Sequence, residues 1–381
     1  YLKNYFCATT LSYFFLENLT KQIKSSFKIS DFLIYALLAL VCDVMPLRKI
    51  NRSIAINAIK NFDIKDNLAF KTLYELSGKK NKISINDLGY FIGPIINSSG
   101  RLLNSNIAAD LLISNSVSIA KSKSQELIKL NDKRKKIEHL ILNDIDFNKI
   151  KKQNNNVIIY YNSKIHEGLI GIIASRLKDF FNKPSIVITN SKNILKASAR
   201  STEDYNIGHL IERLKENGLI EKGGGHNMAA GFSIKKNNIE LLDNFIQKYY
   251  MNKIKFSDLE PTYDFELSAS AINLSFFDEI NKLGPFGNQN FSPIFLIKNV
   301  KIIKSNKIND IHVSAIIKYN KSTGVLLPIL NILQGAELDE GFGLSPHHLT
   351  SVWGFLYESA ACLPVGYAKS PNLWFPVFRS S

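Results

Sequence analysis

The spacing of apolar and polar positions changes character near residue 157. Before it, apolar residues recur three and four apart, the signature of helices with one buried face. Asp31 is placed to cap a helix over Phe32–Cys42 (FLIYALLALVC), and Asn51–Phe62 (NRSIAINAIKNF) repeats the helical spacing. Residues 105–115 predict a short helix. Ser116 to about Asn143 predicts a long polar one, whose alternating charges around KLNDKRKKIEHLIL suit an exposed connector. From Val157 onward, short β-branched runs bounded by Asn, Ser and Pro take over, as strands require. VIIYY, the helical GLIGIIASRLKDFF and PSIVIT make a β-α-β unit. ILKASAR, GHLIERLKEN, a Gly-rich turn and AAGFSI extend it into an α/β domain reaching about Met251. Residues 262–319 are rich in predicted strand (YDFELSA, IFLIKNVKIIK, HVSAIIKY) around LGPFGNQN, which suits a small barrel. The expected fold class is α/β, and no internal repeat is present.

Composition sharpens this picture. Hydrophobic residues make up 45% of 381, enough to bury a sizeable core. The three cysteines, Cys7, Cys42 and Cys362, are too sparse and scattered for a disulfide framework or a zinc site. They fit a reducing compartment, so a cytoplasmic location is expected. The longest apolar run has 11 residues (Phe32–Cys42) against the ~20 of a membrane helix, so no membrane role is expected. The net charge is +15, and it is uneven. Residues 323–381 hold two basic and four acidic side chains, a net of −2, which leaves +17 on residues 1–322. That excess favours a polyanionic partner; a Lys-, Asn- and Ile-rich composition bias is the alternative source. The stretch 323–381 also holds both tryptophans and five of the eleven prolines but one lysine. A frameshift or foreign junction is the expected origin, and a genuine extra segment the alternative. The chain starts on Tyr1 rather than Met, from which a start inside a longer reading frame is expected.

Four local patterns carry chemistry. In ALLALVCDVMPL, Asp43 ends an apolar helix, where the dipole disfavours a carboxylate unless a cation is near; capping the turn into Pro46 is the plainer reading. GPIINSSGRL (Gly93–Leu102) predicts a tight turn carrying Arg101, whose fork could grip a phosphate or simply be solvated. In LKASARS, strand alternation puts Lys196, Ser198 and Arg200 on one face, as phosphate donors or as an ordinary polar face. KGGGHNMAAG offers Gly224 and Gly225 backbone amides to an anion, with His226 as donor or proton shuttle; a structural hairpin is the alternative.

Taken in order, DVMPL, GPIINSSGR, HEGLIGIIASRL, ASARS, GGGHNMAAG and LGPFGNQN resemble the RecJ branch of the DHH phosphoesterase superfamily, from about Tyr5 to about Tyr319. The resemblance implies five segments: the C-terminal part of a DHH domain (1–115), a connector helix (116–150), a DHH-associated domain with the GGGH signature (151–253), an oligonucleotide-binding-type β-barrel (254–322) and the atypical tail (323–381). It implies a metal-dependent, single-stranded-DNA-specific 5′–3′ exonuclease of DNA repair and recombination, using Mn²⁺ or Mg²⁺, with single-stranded DNA as partner. Helicase or single-strand-binding partners stay open. By the same resemblance Asp43 is a metal ligand, Arg101, Ser198 and Arg200 engage the DNA or its 5′ end, and His226 faces the site as the catalytic candidate. Asn97 and His166 take supporting roles. The family's Asp-His-His triplet is absent, since His347-His348 follows a proline in the tail, and its other metal ligands are expected upstream of Tyr1. One carboxylate cannot build a two-metal centre, so negligible nuclease activity is expected of the chain alone. The competing expectations are a non-catalytic strand-binding remnant and a small-substrate enzyme; the connector helix and LGPFG region argue against the latter.

Overall fold

The structure, a computed structural model, describes residues 5–79, 82–192, 194–235, 238–250, 263–268, 271, 273–298, 300–308, 312–319, 325–329 and 351–354. The chain divides into two compact units, 1–62 with 83–90 and 259–381, and 63–82 with 91–258.

In the first unit, α1 (Ala8–Gln22), α2 (Leu33–Cys42) and α3 (Lys49–Asn61) pack in sequence around Ile34, Leu37, Leu40, Ile54 and Ala55. Asp31 does not cap α2. It lies inside a 3₁₀ turn, Ile29–Phe32, which occupies the position where a cap would stand. Asp43 does close α2, and its N–H bonds back to the Ala39 carbonyl at 2.8 Å.

The second unit is built on α4 (Leu68–Leu76), α5 (Gly93–Leu102), α6 (Asn106–Leu112) and the 28-residue α7 (Val117–Asp144), about 42 Å long. Small side chains let these helices approach closely. Thr72 and Ser124 share a buried hydroxyl–hydroxyl bond of 2.8 Å, and Ser98 Oγ donates to the Leu127 carbonyl at 3.3 Å. After α8 (Phe147–Gln153) the chain enters a five-stranded sheet: β1 (Ile158–Tyr161), β2 (Ser185–Ser191), β3 (Ile194–Arg200), β4 (Lys222–Gly225) and β5 (Ala229–Ile234). Its spatial order is β1-β2-β3-β5-β4. Only β1 and β2 run parallel, joined by the predicted crossover helix α9 (Ile170–Phe181).

Each sheet face has its own core. Val187 and Ile158 pack against Leu169, Ile173, Ala174 and Leu177, with Ile137 and Ile141 of α7 closing over them. Ile186, Ile188, Ala197, Ala199 and Phe232 pack against α10 (Ile207–Glu216) and α11 (Ile239–Tyr250). The strict alternation along β3, odd positions buried and even ones half-buried, therefore turns Lys196, Ser198 and Arg200 towards the α9 side.

Residues 263–354 of the first unit supply α12 (Leu274–Asn281), β6 (Phe265–Glu266), β7 (Phe295–Lys298), β8 (Val300–Ile308), β9 (His312–Tyr319), β10 (Val325–Ile329) and β11 (Ser351–Gly354). The described strands form two three-stranded sheets, β10-β9-β8 and β11-β7-β6. β10 and β11 both lie beyond residue 322, where the sequence pattern ended the barrel, and each pairs antiparallel with a strand before it. The rest of 323–381, His347 and His348 included, lies outside the described residues. Among the described residues, no helix is long and apolar enough to cross a membrane.

Candidate phosphate-binding site

Arg101 sits on the last turn of α5 rather than on a tight turn. GPIINSSGRL forms a helix because Pro94 is accommodated in its first turn. Ser98 and Ser99 satisfy their hydroxyls on the Ile95 and Ile96 carbonyls, at 2.6 and 3.1 Å. Those two hydroxyls are therefore structural, and Asn97 is left exposed on the outer face. The Arg101 guanidinium reaches the loop before α9, where Nη1 donates to the Gly168 carbonyl at 3.2 Å. The contact is tight on the other side too. A Cβ on Gly168 would lie 2.0 Å from the Arg101 carbonyl oxygen, so that position admits only glycine.

Arg200 approaches the first turn of the same helix from β3. Its Nη1 donates to Ser198 Oγ at 3.1 Å and to the Ala199 carbonyl at 2.8 Å. A Cβ on Gly171 would meet Arg200 Nη2 at 2.9 Å and Ser198 Oγ at 3.2 Å, so the missing side chain makes room for both. The two arginines feel each other. Burial lowers the pKa of Arg200, and the charge of Arg101 lowers it further. Burial likewise lowers that of Arg101, with Arg134 adding to the effect and Glu138 opposing it. Arginine stays protonated throughout. The site thus holds two half-buried cations whose hydrogen-bond partners are neutral, and neither forms an ion pair among the described residues. Such a pair is stabilised by an anion between its forks, beside helix amides that lack intrahelical partners.

The other sequence candidates fall into three groups. Lys196 shares the face of Ser198 and Arg200, but its Nζ is paired with Glu167 Oε2 at 2.7 Å, and Ser191 Oγ donates to the same oxygen at 2.5 Å. Those two hydrogen bonds hold the Glu167 carboxyl below its ordinary range. Lys196 thus already has a carboxylate partner, unlike Arg101 and Arg200. His166 lies in the same loop, exposed, with Nδ1 accepting from the Gly168 N–H at 3.1 Å.

Gly224 and Gly225 belong to β4, the edge strand of a hairpin with β5, rather than to an anion-cradling turn. Glycine is needed there for packing: a Cβ on Gly225 would stand 2.3 Å from Ala230 Cβ, and one on Gly223 2.8 Å from Phe232 Cβ. His226 is exposed at the hairpin tip, its N–H donating to the Ala229 carbonyl at 2.8 Å. The tip is fastened to the start of α10 by Asn206 Nδ2 on Asn227 Oδ1, 2.8 Å, and by the Ile207 N–H on the Asn227 carbonyl, 2.9 Å.

Asp43 belongs to the first unit and the other candidates belong to the second. Among the described residues no group of three or more His, Cys, Asp or Glu could hold a metal ion. The side chains around Asp43 therefore do not make a metal site by themselves.

Sequence reasoning missed the carboxylate behind the arginines. Glu138 of α7 is buried; its Oε2 accepts from Arg134 Nη1 at 2.9 Å and its Oε1 from Arg176 Nε of α9 at 2.8 Å. The Arg134–Glu138 pair was visible as an i, i+4 spacing in NDKRKKIE; the cross-helix partner was not.

Comparison with known proteins places the chain among its relatives. A DHHA1 domain model matches residues 154–252 and a RecJ OB domain model residues 263–326. The chain is 30% identical over 312 residues to the single-stranded-DNA-specific exonuclease RecJ of Haemophilus influenzae, covering 78% of this chain and 54% of that protein. It is 29% identical over 314 residues to the protein of the same name from Bacillus subtilis, covering 80% and 39%. It thus spans about half the length, or less, of the curated relatives it matches. The crystal structure of RecJ from Thermus thermophilus in complex with Mn²⁺ superposes with a TM-score of 0.68 at 22% identity, over 83% of this chain and 45% of that one. The Mg²⁺ complex gives 0.67 at 21%, covering 81% and 47%.

Proposed function

We propose that this chain, which belongs to the RecJ family, supplies the strand-gripping part of a single-stranded-DNA exonuclease acting 5′ to 3′ in DNA repair and recombination. The observation that carries the reading is the Arg101–Arg200 pair: two neighbouring guanidinium groups, without carboxylate partners among the described residues, against the first turn of α9. A phosphate placed there accepts from both forks, from Ser198 once its hydroxyl turns, and from the amides of Ile170 or Gly171. Phosphate contacts read no sequence, so the grip is indifferent to base identity, as an exonuclease requires.

Hydrolysis itself calls for divalent metal, Mn²⁺ or Mg²⁺ by analogy with the ions in the Thermus thermophilus structures. Asp43 is the residue we assign to that metal; the described side chains do not complete its ligand set. His226, exposed beside the edge strand, is assigned to strand contact or proton transfer. Gly223 and Gly225, whose added Cβ atoms would strike Phe232 and Ala230, shape the hairpin that presents it. A cytoplasmic location and further repair partners belong to the same proposal.

The test is a fluorescence titration of the 381-residue chain with 5′-phosphorylated single strands at several salt concentrations. Arg101→Ala and Arg200→Ala should each weaken binding about tenfold or more, equally for all sequences, and each should lower the salt slope by roughly one. Unchanged affinity in both folded variants would return the two arginines to ordinary surface residues.

A further inference from the structure

Four arginines meet in the second unit, and one carboxylate stands among them. Arg101, Arg134, Arg176 and Arg200 come from α5, α7, α9 and β3, and Glu138 ties Arg134 to Arg176 with a separate oxygen for each. The side chain of Glu138 is 9% exposed and that of Arg134 12%, so their charges are little screened by water. Arg134 is also fixed by Nε on Asn131 Oδ1, at 3.1 Å. Both Arg134 and Glu138 act on Arg101 through space, in opposite directions.

We infer that Glu138 is a positioning and charge-balancing residue of the phosphate site, which occupies Arg134 and Arg176 and so leaves Arg101 and Arg200 as the pair that takes the phosphate. The inference rests on the phosphate reading of the preceding section. With Glu138 ionised the cluster of five carries a net +3, and without that charge it carries +4. An anion-binding enzyme that works along a strand needs affinity high enough to seat a terminal phosphate and low enough to release it. A buried carboxylate that acts on Arg101 through space lowers the local potential without touching the ligand.

The charge and the geometry of Glu138 can be separated. Glu138→Gln keeps the shape and removes the charge, whereas Glu138→Asp keeps the charge and shortens the reach. In titrations of the whole chain with 5′-phosphorylated oligothymidylate, Glu138→Gln should bind at least about threefold more tightly, with a steeper salt dependence. Glu138→Asp should stay near wild type, and the double variant Glu138→Gln/Arg176→Gln, which restores +3, should return to wild-type affinity. If Glu138→Gln does not fold, Arg176→Gln carries the test: it keeps Glu138 paired with Arg134, lowers the cluster to +2 and should bind more weakly, and unchanged binding would overturn the inference. A residue that only braces α7 against α9 would behave otherwise, and weaker or unchanged binding in Glu138→Gln, or lost affinity in the double variant, would overturn the inference. Arg200→Ala in the same titration keeps the two questions apart. If it binds like wild type, the phosphate reading fails; if it weakens binding while Glu138→Gln does not strengthen it, only the role of Glu138 fails.

Discussion

Two glycines at the arginine pair and one on the edge strand β4 differ in what a methyl group would strike, and that difference ranks their substitutions. At Gly168 the obstacle is backbone, the Arg101 carbonyl at 2.0 Å, so Gly168→Ala must move the end of α5. It should cost about 2–4 kcal/mol, read as a lower denaturant midpoint. At Gly171 the nearest obstacle is the far end of Arg200, which can swing away. Gly171→Ala should therefore melt near wild type yet lose strand affinity; normal binding in that variant would show that Arg200 tolerates displacement. At Gly224 nothing lies within 4 Å, and Gly224→Ala should be silent in both measurements. A second residue-scale effect lies on the opposite face of the sheet, where the rings of Tyr205 and Tyr250 meet at a 35° tilt with centroids 4.0 Å apart. Burial pushes Tyr205 up to about 12 and raises Tyr250 as well. The unfolded phenols ionise near 10, so the unfolded state loses protons first and stability falls as pH climbs from 10 towards 12. Tyr250→Phe should flatten that fall in chemical denaturation. A curve parallel to wild type would mean that the buried phenols do not govern alkaline unfolding.

At the scale of elements, local pattern carried most of the second unit, and tertiary partners decided what it missed. The alternation of ILKASAR and the 28 residues of α7 were legible because period and length alone define them. GPIINSSGRL was misjudged as a turn because its glycines and serines suggest one. Serine hydroxyls that bond to carbonyls three residues back are compatible with a helix when, as with Ser98, they also meet a neighbour. α12 was missed: eight residues capped by Asn273, whose Oδ1 accepts from the Phe276 N–H at 2.9 Å, inside a stretch dominated by strand formers. LGPFGNQN, noted as a family motif, turns out to be a docking loop of the first unit. Arg52 of α3 donates through Nη2 to the Leu283 and Gly284 carbonyls, at 2.7 and 2.9 Å. Asn288 Nδ2 reaches the Val44 carbonyl at 2.6 Å, and the Leu47 N–H reaches the Asn288 carbonyl at 2.7 Å. This loop therefore braces the turn that follows Asp43. Arg52→Ala should raise hydrogen exchange across 283–290 and at Val44–Leu47 while leaving the five-stranded sheet protected; exchange confined to the substituted site would count against a brace.

Across the whole molecule, the sequence could name the ingredients of the site but not their assembly. Arg101 and Arg200 are 99 positions apart, and only the packing of α5 and β3 around the start of α9 brings both to the same helix start. The same limit applies to cleavage. A two-metal phosphodiesterase needs several oxygen or imidazole ligands per cation, arranged within coordination distance. Asp43 has the right chemistry and a place at the end of α2, but among the described residues no cluster of three potential ligands surrounds it or any other point. The strand binding proposed above rests on arginines that require no metal. Two measurements on the 381-residue chain should then diverge. Binding of 5′-phosphorylated single strands should persist in a chelator, with affinity falling steeply as salt rises, because the +15 chain releases counterions when it seats a polyanion. Hydrolysis of the same strands should be negligible with Mn²⁺ or Mg²⁺, and Asp43→Ala should leave affinity unchanged. Robust, chelator-sensitive degradation abolished by Asp43→Ala would show instead that the chain completes a metal centre around that aspartate. Loss of strand binding in the chelator would place a metal, rather than the arginine pair, at the heart of the grip.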